Sequence, residues 1–369
     1  MPDAGDESRV LLAVDGNSLV HRSFHAQAST GLRSASGQPL WAIRGLLTQL
    51  VAAVERIGPV AVLVGFDDPD RSLRRDRWPA YKAGRTEKLE TLVCQLAGAV
   101  EVLRELGLAV HVPDGLEADD VLASAARFGR EAGLRTVIMT SDRDAFALID
   151  DTTRVLRIIN GGVEASPLLT PERFVTMQGI RPEQYRDLAA LRGDPSDNLP
   201  GVRGFGPKLA ARLLAELGSV RAALDDLAAG GERVAAAVGP ALAARLGEPD
   251  SVAAWRLNCQ VMAMHDTLEL GLDLAAGPGV LPLPADAVRA AFSAHQLTWT
   301  TATALRVLAH HDGPPPQPAP QHHRTAGRSP DGDGGSAGYL TPGQRHPGGG
   351  KRHGKLEKPR PRVDQLSLF

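Results

Sequence analysis

Three separated runs of β-forming residues each close on an aspartate, and this repetition constrains the fold more than any other feature of the chain. VLLAVDG (10–16) closes on Asp15 and Gly16, VAVLVGFD (60–67) on Asp67, and TVIMTSD (136–142) on Asp142. Between them lie stretches with apolar residues at helical spacing, at 40–57, 89–107 and 117–133. Short strands are also expected at 108–113 and 154–159. Strands alternating with amphipathic helices build a mostly parallel α/β sheet. Open parallel sheets gather ligands at the carboxyl ends of their strands. Three acids delivered there from distant parts of the chain meet at one place.

Beyond about residue 180 the strand pattern stops, and short helices punctuated by glycine follow. The expected division is an α/β domain at 1–185, an all-α region at 186–312 and a flexible Pro/Gly-rich basic tail at 313–369. A chain of 369 residues, 43% hydrophobic, has room for two such cores. No run of eighteen apolar residues occurs, so no membrane span is expected. The N-terminus lacks the charged-then-apolar layout of a signal peptide, and Cys94 and Cys259 are too few for a disulfide framework. A cytoplasmic, nucleoid-associated protein is expected. The net charge of −2 divides unevenly: residues 313–369 carry nine Lys or Arg and four Asp or Glu, a balance of +5 that leaves −7 for the rest. An acidic body need not repel a polyanion if its carboxylates surround divalent cations, which invert the local field.

More acids lie near the three strand ends in sequence. Glu117, Asp119 and Asp120 open a helix, Asp144 follows Asp142, and Asp194 and Asp197 stand in GDPSDN. Taken singly, each group has an ordinary reading: helix N-terminal charges for the first, a capped turn for the second, turn formers before Pro195 and Pro200 for the third. Taken together, nine carboxylates in one cleft would repel one another unless hard cations sat among them. Mg²⁺ takes oxygen ligands, and two ions about 4 Å apart clamp the attacking and leaving oxygens of a phosphodiester.

Two other stretches suit nucleic acid. SLRRDRWPAYKAGR (72–85) interleaves Arg74, Arg75, Arg77, Lys82 and Arg85 with Trp78 and Tyr81. Cations contact phosphates while aromatic rings stack on unpaired bases. LPGVRGFGPKLAARLL (199–214) places Gly201, Gly204 and Gly206 before a helix that starts near Pro207. Exposed amides at that helix start, with Lys208, suit duplex phosphate. His21 and His25 are expected to pack or cap, since the candidate metal donors are all oxygen.

The stretches LLAVDGNSLVHRSFHA, VGFD, YKAGR, GLEADDVLA, TSDRDAFALI and LRGDPSDNLPGVRGFGPKLAARLL together resemble the 5′-nuclease family, that is, the 5′→3′ exonuclease domain of bacterial DNA polymerase I and the flap endonucleases. The resemblance runs from about Val10 to Leu272. It implies a PIN-like nuclease domain with a helical arch, followed by a helix-three-turn-helix DNA-binding region. It also implies that Asp15, Asp67, Glu117 and Asp119 hold a first metal ion, with Asp120 beside them. Asp142, Asp144 and Asp197 would hold a second, with Asp194 adjacent. The ions would be Mg²⁺, with Mn²⁺ as a substitute, and the chemistry hydrolysis by metal-activated water. Lys82 and Arg85 would reach the scissile phosphate as catalytic residues, Arg22 would contact another phosphate, and the glycine hairpin would hold K⁺ through backbone carbonyls. TEKLETLVCQ, after Arg85, lacks the prolines usual there in the family, which bears on the shape of the arch.

The chain ends in QLSLF, which resembles the peptide by which bacterial replication proteins dock on the β sliding clamp. Gln365 would seat it while Leu366, Leu368 and Phe369 fill an apolar pocket. No polymerase region follows the nuclease motifs, so a stand-alone 5′→3′ exonuclease and flap endonuclease is expected. Its substrates would be DNA with 5′ ends or flaps and RNA–DNA primer junctions, with a separate DNA polymerase as a further partner. The rival readings are a PIN-type ribonuclease, which need not carry YKAGR or the glycine hairpin, and a non-catalytic DNA-structure or clamp-binding module, which would lack metal ligands.

Overall fold

The computed structural model describes residues 9–297 and 300–309. In the first half, β1 (Val10–Asp15), α1 (Gly16–Gln27), α2 (Trp41–Ile57), β2 (Ala61–Gly65), α3 (Leu73–Arg77), α4 (Glu90–Glu105) and β3 (Ala109–His111) follow one another. Next come α5 (Ala118–Glu131), β4 (Arg135–Thr140), β5 (Thr153–Arg157), α6 (Gly162–Ala165), β6 (Leu168–Leu169) and α7 (Pro171–Gln178). The five strands expected from the sequence are present. The sheet order is β3-β2-β1-β4-β5-β6, parallel throughout except for the last pair. Where the resemblance implied a helical arch, the segment between β2 and α4 holds the five-residue α3 and then turns through Arg85.

This order explains where the acids meet. From β1 the chain moves outward to β2 and β3, then crosses back to place β4 on the other side of β1. The crevice at such a reversal is where open α/β sheets hold their ligands. Register puts Asp15 opposite Gly65 at the carboxyl end of β1 and β2. Asp67 follows β2 by two residues and Asp142 follows β4 by two.

β1 is fully buried from Leu11 to Val14, as a central parallel strand covered on both faces should be. Its side chains alternate between two cores. Leu12 and Val14 join one core with α1, α2 and α4, while Leu11 and Ala13 join the other with α5.

After α7 come α8 (Tyr185–Arg192), the two-residue strands β7 (Gly193–Asp194) and β8 (Leu199–Pro200), and α9 (Pro207–Leu217). They lead to α10 (Val220–Ala228), α11 (Glu232–Val238), α12 (Pro240–Leu246), α13 (Pro249–Val261), α14 (Ala285–Ala294) and α15 (Thr301–Leu308). The helical region expected at 186–312 does not form one block. Leu213, Leu214, Val220 and Leu246 extend the α5-side core. Leu283, Val288, Phe292 and Leu308 pack into the opposite core, beside α2 and α4. The chain changes face along 279–281, where the Val62 amide donates to the Gly279 carbonyl at 2.8 Å and the Leu281 amide to that of Val60 at 2.9 Å. A Cβ at residue 279 would stand 2.4 Å from the Val62 carbonyl oxygen, so only glycine passes there. Sequence periodicity marks helices but carries no record of which sheet face they cover.

Candidate active site

Asp15 ends β1 and begins α1 in one residue. Its Oδ1 accepts from the Ser18 amide at 2.9 Å, capping the helix, and its Oδ2 accepts from Thr140 Oγ1 at 2.6 Å. Thr140 therefore ties the end of β4 to the end of β1. Asp67 is held from two sides: Asn17 Nδ2 donates to its Oδ2, and the Ala118 amide, at the start of α5, donates to its Oδ1 at 3.0 Å. Asp142 accepts from the Asp144 amide at 3.0 Å. Asn17, Ser18 and Thr140 were not singled out from the sequence. The signals available were DGNS at the end of the first strand for Asn17 and Ser18, and the TSD that closes TVIMTSD for Thr140.

A cleft of about 630 Å³ opens here. It is lined by Asp15, Asp67, Glu117, Asp119, Asp142, Asp144 and Asp197, with Lys82, Arg85, Lys88 and Arg22 among its basic residues. Seven of the nine candidate acids thus share one site. Asp120 and Asp194 do not line it. Asp120 is fully buried behind the cleft, closing a capping box by accepting from the Glu117 amide at 2.9 Å. Asp194 caps its own turn, accepting from the Ser196 amide at 2.8 Å.

Crowding and burial act on the protonation of these acids. Burial first, and then the charges of Asp142 and Asp67, push Asp15 up to about 6 against the opposing bonds from Ser18 and Thr140. Burial, Asp142, Asp194 and Asp197 push Asp144 up to about 7. Burial and the neighbouring Asp142, Asp15 and Asp144 hold Asp119 well above the usual carboxylate range, and burial raises Asp67. A carboxyl whose pKa is raised on folding stabilises the fold most below its unfolded value and loses that contribution as pH climbs through its folded value. His21, whose pKa falls to about 4 on folding, acts in the opposite sense below about 6.5, but the four raised carboxyls outnumber it. Metal-free protein is therefore expected to melt at lower temperature as pH rises from about 4 to above 7, most steeply above about 6.5. The Asp15→Asn/Asp144→Asn variant should show a shallower slope, with Asp119 and Asp67 supplying what remains. Thermal melts in EDTA test this, and a wild-type melting temperature that is flat or rises across the window contradicts it.

The basic partners arrive by an interlock of two turns. The Lys82 amide donates to the Asp197 carbonyl at 2.9 Å, and Asn198 Nδ2 donates to the Ala80 carbonyl at 2.9 Å. Lys82 Nζ then reaches Glu117 Oε1 at 2.8 Å, and Arg85 pairs with Asp197. YKAGR and GDPSDN, more than a hundred residues apart, thus form one wall of the cleft.

Two residues expected to contact DNA are engaged within the protein: Arg74 does not line the cleft, and Tyr81 lines it with its hydroxyl already bonded to Glu117. Arg74 is 7% exposed; its guanidinium donates to Asp120 at 2.7 and 2.8 Å, to Glu117 at 3.2 Å, and to the Val261 and Ala263 carbonyls. Burial works against its charge, but Asp120 and Glu117 outweigh that and raise its pKa. Tyr81 is 6% exposed and donates to Glu117 Oε2 at 3.1 Å, so its ring offers no stacking platform. Composition had grouped both with their exposed neighbours Arg75 and Arg77. His21 and His25 line the cleft. Burial, then the charges of Lys88, His25 and Arg85, hold His21 down at about 4, so it is neutral at pH 7.

The glycine hairpin divides by role. A Cβ on Gly201 would stand 2.2 Å from the Arg192 carbonyl oxygen, so this glycine serves the close packing of β7 and β8. Gly204 has φ of 94°, which favours glycine, and Gly206 is the N-cap of α9 with open space where a Cβ would be. Lys208 lies in the first turn of α9.

All seven cleft acids offer hard oxygen donors, the set that Mg²⁺ or Mn²⁺ takes. Among the described residues no three acids, His or Cys already form a closed metal cage. Lys82 and Arg85 sit on two of the carboxylates instead. Such a set fits hydrated ions, each held by one or two carboxylates directly and by the others through its retained waters.

Residues 10–179 match the 5′-3′ exonuclease N-terminal resolvase-like domain, and residues 180–276 the 5′-3′ exonuclease C-terminal SAM fold. DNA polymerase I of Mycobacterium bovis is 38% identical over 236 residues, 64% of this chain and 26% of that protein. The thermostable DNA polymerase I of Thermus thermophilus is 42% identical over 221 residues, 60% of this chain and 25% of that protein. The chain therefore spans about a quarter of these relatives' length. Among solved structures, the bacteriophage T5 flap endonuclease in a pseudo-enzyme-product complex with DNA and metal ions superposes with a TM-score of 0.53 at 21% identity, covering 81% of this chain and 99% of that one. The catalytic core of Rad2 in complex with DNA substrate superposes with a TM-score of 0.50 at 17% identity, covering 82% and 92%. Those two share the fold. With both domain matches adjoining and together spanning residues 10–276, the chain belongs to the 5′-3′ exonuclease family.

Proposed function

We propose that this chain is a metal-dependent 5′→3′ exonuclease and 5′-flap endonuclease that hydrolyses phosphodiesters of DNA and of RNA primers in replication and repair. One observation carries the reading: seven carboxylates from separate elements converge at the sheet's reversal point, in a cleft that also holds Lys82, Arg85 and Arg22. Asp15, Asp67, Glu117 and Asp119 would hold one Mg²⁺, and Asp142, Asp144 and Asp197 a second, with Asp120 and Asp194 supporting from outside the cleft. Bound Mg²⁺ supplies positive charge to the phosphodiester and makes water more acidic. Lys82 and Arg85 now neutralise Glu117 and Asp197. They are poised to exchange those partners for the scissile phosphate as a strand enters. The exposed Arg75 and Arg77 take the strand's flanking phosphates. The turn at Gly201–Gly206, with Lys208, is the proposed grip on the duplex and the proposed seat of a K⁺ ion. The test is a labelled 5′-flap duplex incubated with Mg²⁺ or EDTA. Cleavage at the flap junction is expected only with Mg²⁺, and equal cutting in EDTA would refute the reading.

Gln365, Leu366, Leu368 and Phe369 lie outside the described residues. Their proposed role is docking on the β sliding clamp, in a nucleoid setting alongside a separate polymerase. No described helix is long and apolar enough to cross a membrane. Deleting Gln365–Phe369 is expected to abolish capture by immobilised clamp and to leave cutting of bare DNA unchanged. Undiminished capture of the truncated protein would remove this role.

A further inference from the structure

Beside the acidic cleft, at the carboxyl ends of β4 and β5, Arg22, Arg143 and Arg157 lie within electrostatic reach of one another, without an anionic partner among the described residues. Arg157 is the last residue of β5 and pairs in register with Thr140 of β4. Arg143 lies three residues past Thr140. Arg22 projects from α1, where its Nη2 donates to Asn160 Oδ1 at 2.8 Å, a neutral acceptor. All three are half-buried. None takes part in an ion pair among the described residues. Asp142 and Asp144 flank Arg143 in sequence but line the cleft rather than pairing with it.

Arg157 is the most exacting of the three. Its Nε is buried with no hydrogen-bond partner, while its guanidinium lies over the Phe146 ring at 5.7 Å. Burial, followed by the charges of Arg143 and, more weakly, Arg22, holds it below its ordinary range. A buried donor left unmet and like charges held together both cost free energy. Arg74 shows the contrast, since its buried guanidinium is met by two carboxylates. The cluster that lacks such partners adjoins the cleft through Arg22 and Asn160, which line it.

We propose that Arg22, Arg143 and Arg157 form a seat for a non-scissile phosphate of the bound nucleic-acid strand, with Asn160 positioning Arg22. Guanidinium forks match phosphate oxygens in geometry and charge. The seat rests on the nuclease reading and adds to it the place where the strand is held beside the scissile bond. The seated group is either an internal phosphodiester or the strand's terminal phosphate.

The test measures flap-DNA binding in EDTA over a series of salt concentrations, and Mg²⁺-dependent cleavage, for wild type, Arg157→Met and Arg143→Gln. Each variant is expected to bind about tenfold more weakly, and its salt dependence to flatten by about 0.9 in log–log slope, the value for one lost phosphate contact. The cleavage rate at saturating DNA should stay within about threefold of wild type, because the seat sets KM more than kcat. Substrates with a neutral methylphosphonate stepped along the strand, or without the 5′-phosphate, identify which phosphate is seated. One of them should weaken wild type and leave the variants unmoved. If Arg157→Met fails to fold, Arg143→Gln decides alone. Wild-type affinity and salt slope in the variants would overturn the seat while wild-type cleavage stood. A wild type that cuts no 5′-flap substrate would instead overturn the function it rests on.

Discussion

Asp142→Ala is expected to lower the Mg²⁺-dependent cleavage rate roughly a thousandfold. The figure follows from losing about 4 kcal/mol of transition-state charge stabilisation, at about 1.4 kcal/mol per tenfold in rate. Asp142 suits the test because its loss should not disturb the fold. It is exposed, and among the described residues its carboxylate bonds only to the Asp144 amide, in the turn after β4. Its charge is nonetheless felt across the site, raising Asp15, Asp119 and Asp144. The variant should therefore cut poorly, melt as wild type does or slightly higher, and let those three carboxyls ionise at lower pH. Single-turnover cleavage of a flap substrate at saturating Mg²⁺ gives the rate. A variant within tenfold of wild type would remove Asp142 from the proposed metal site.

Arg74→Met is expected to cost about 3–5 kcal/mol of folding free energy, the range for breaking one side of a buried ion pair. The side chains of Arg74 and Asp120 are 8% and 0% exposed, so solvent cannot take over the charge left behind. Arg74 also joins α3 to the start of α5 through Asp120, and to the end of α13 and the residues after it through the Val261 and Ala263 carbonyls. Two consequences separate this role from a DNA contact. Adding Asp120→Asn to Arg74→Met should recover part of the loss, because it removes the stranded carboxylate. Arg75→Met, one residue along and exposed, should leave stability almost unchanged. Denaturant unfolding of the four proteins measures these differences. An Arg74→Met variant within about 1 kcal/mol of wild type would show that the pair is not holding these segments together.

Much of the fold and of the site was legible in the chain. Asp15, Asp67 and Asp142 each follow a run of β-forming residues, and the alternation of strands with amphipathic helices required a parallel sheet. Such a sheet gathers its strand ends at one edge, so convergence of the three acids followed from local pattern alone. GDPSDN read by itself as a turn and YKAGR as part of a basic, aromatic stretch; the metal and scissile-phosphate roles of both came from the resemblance to the 5′-nuclease family. The residues that misled were those whose role depends on what comes from far away. Arg74 looked like its neighbours Arg75 and Arg77, and only the approach of Asp120 and of the chain after Val261 buries it. Tyr81 looked like a stacking ring until Glu117 took its hydroxyl.

The sequence by itself determined the secondary structure, the sheet and the identity of most acids at its edge. These follow from propensity, from hydrophobic period and from the rule that parallel strands end together. Tertiary structure alone decided which charges are spent on one another and which remain for a ligand. It set Lys82 and Arg85 on Glu117 and Asp197, moved Asp120 and Asp194 out of the cleft, and sent the last helices to the opposite face of the sheet. The physical reason is that Coulombic pairing and burial depend on distance through space. A sequence shows distance only along the chain.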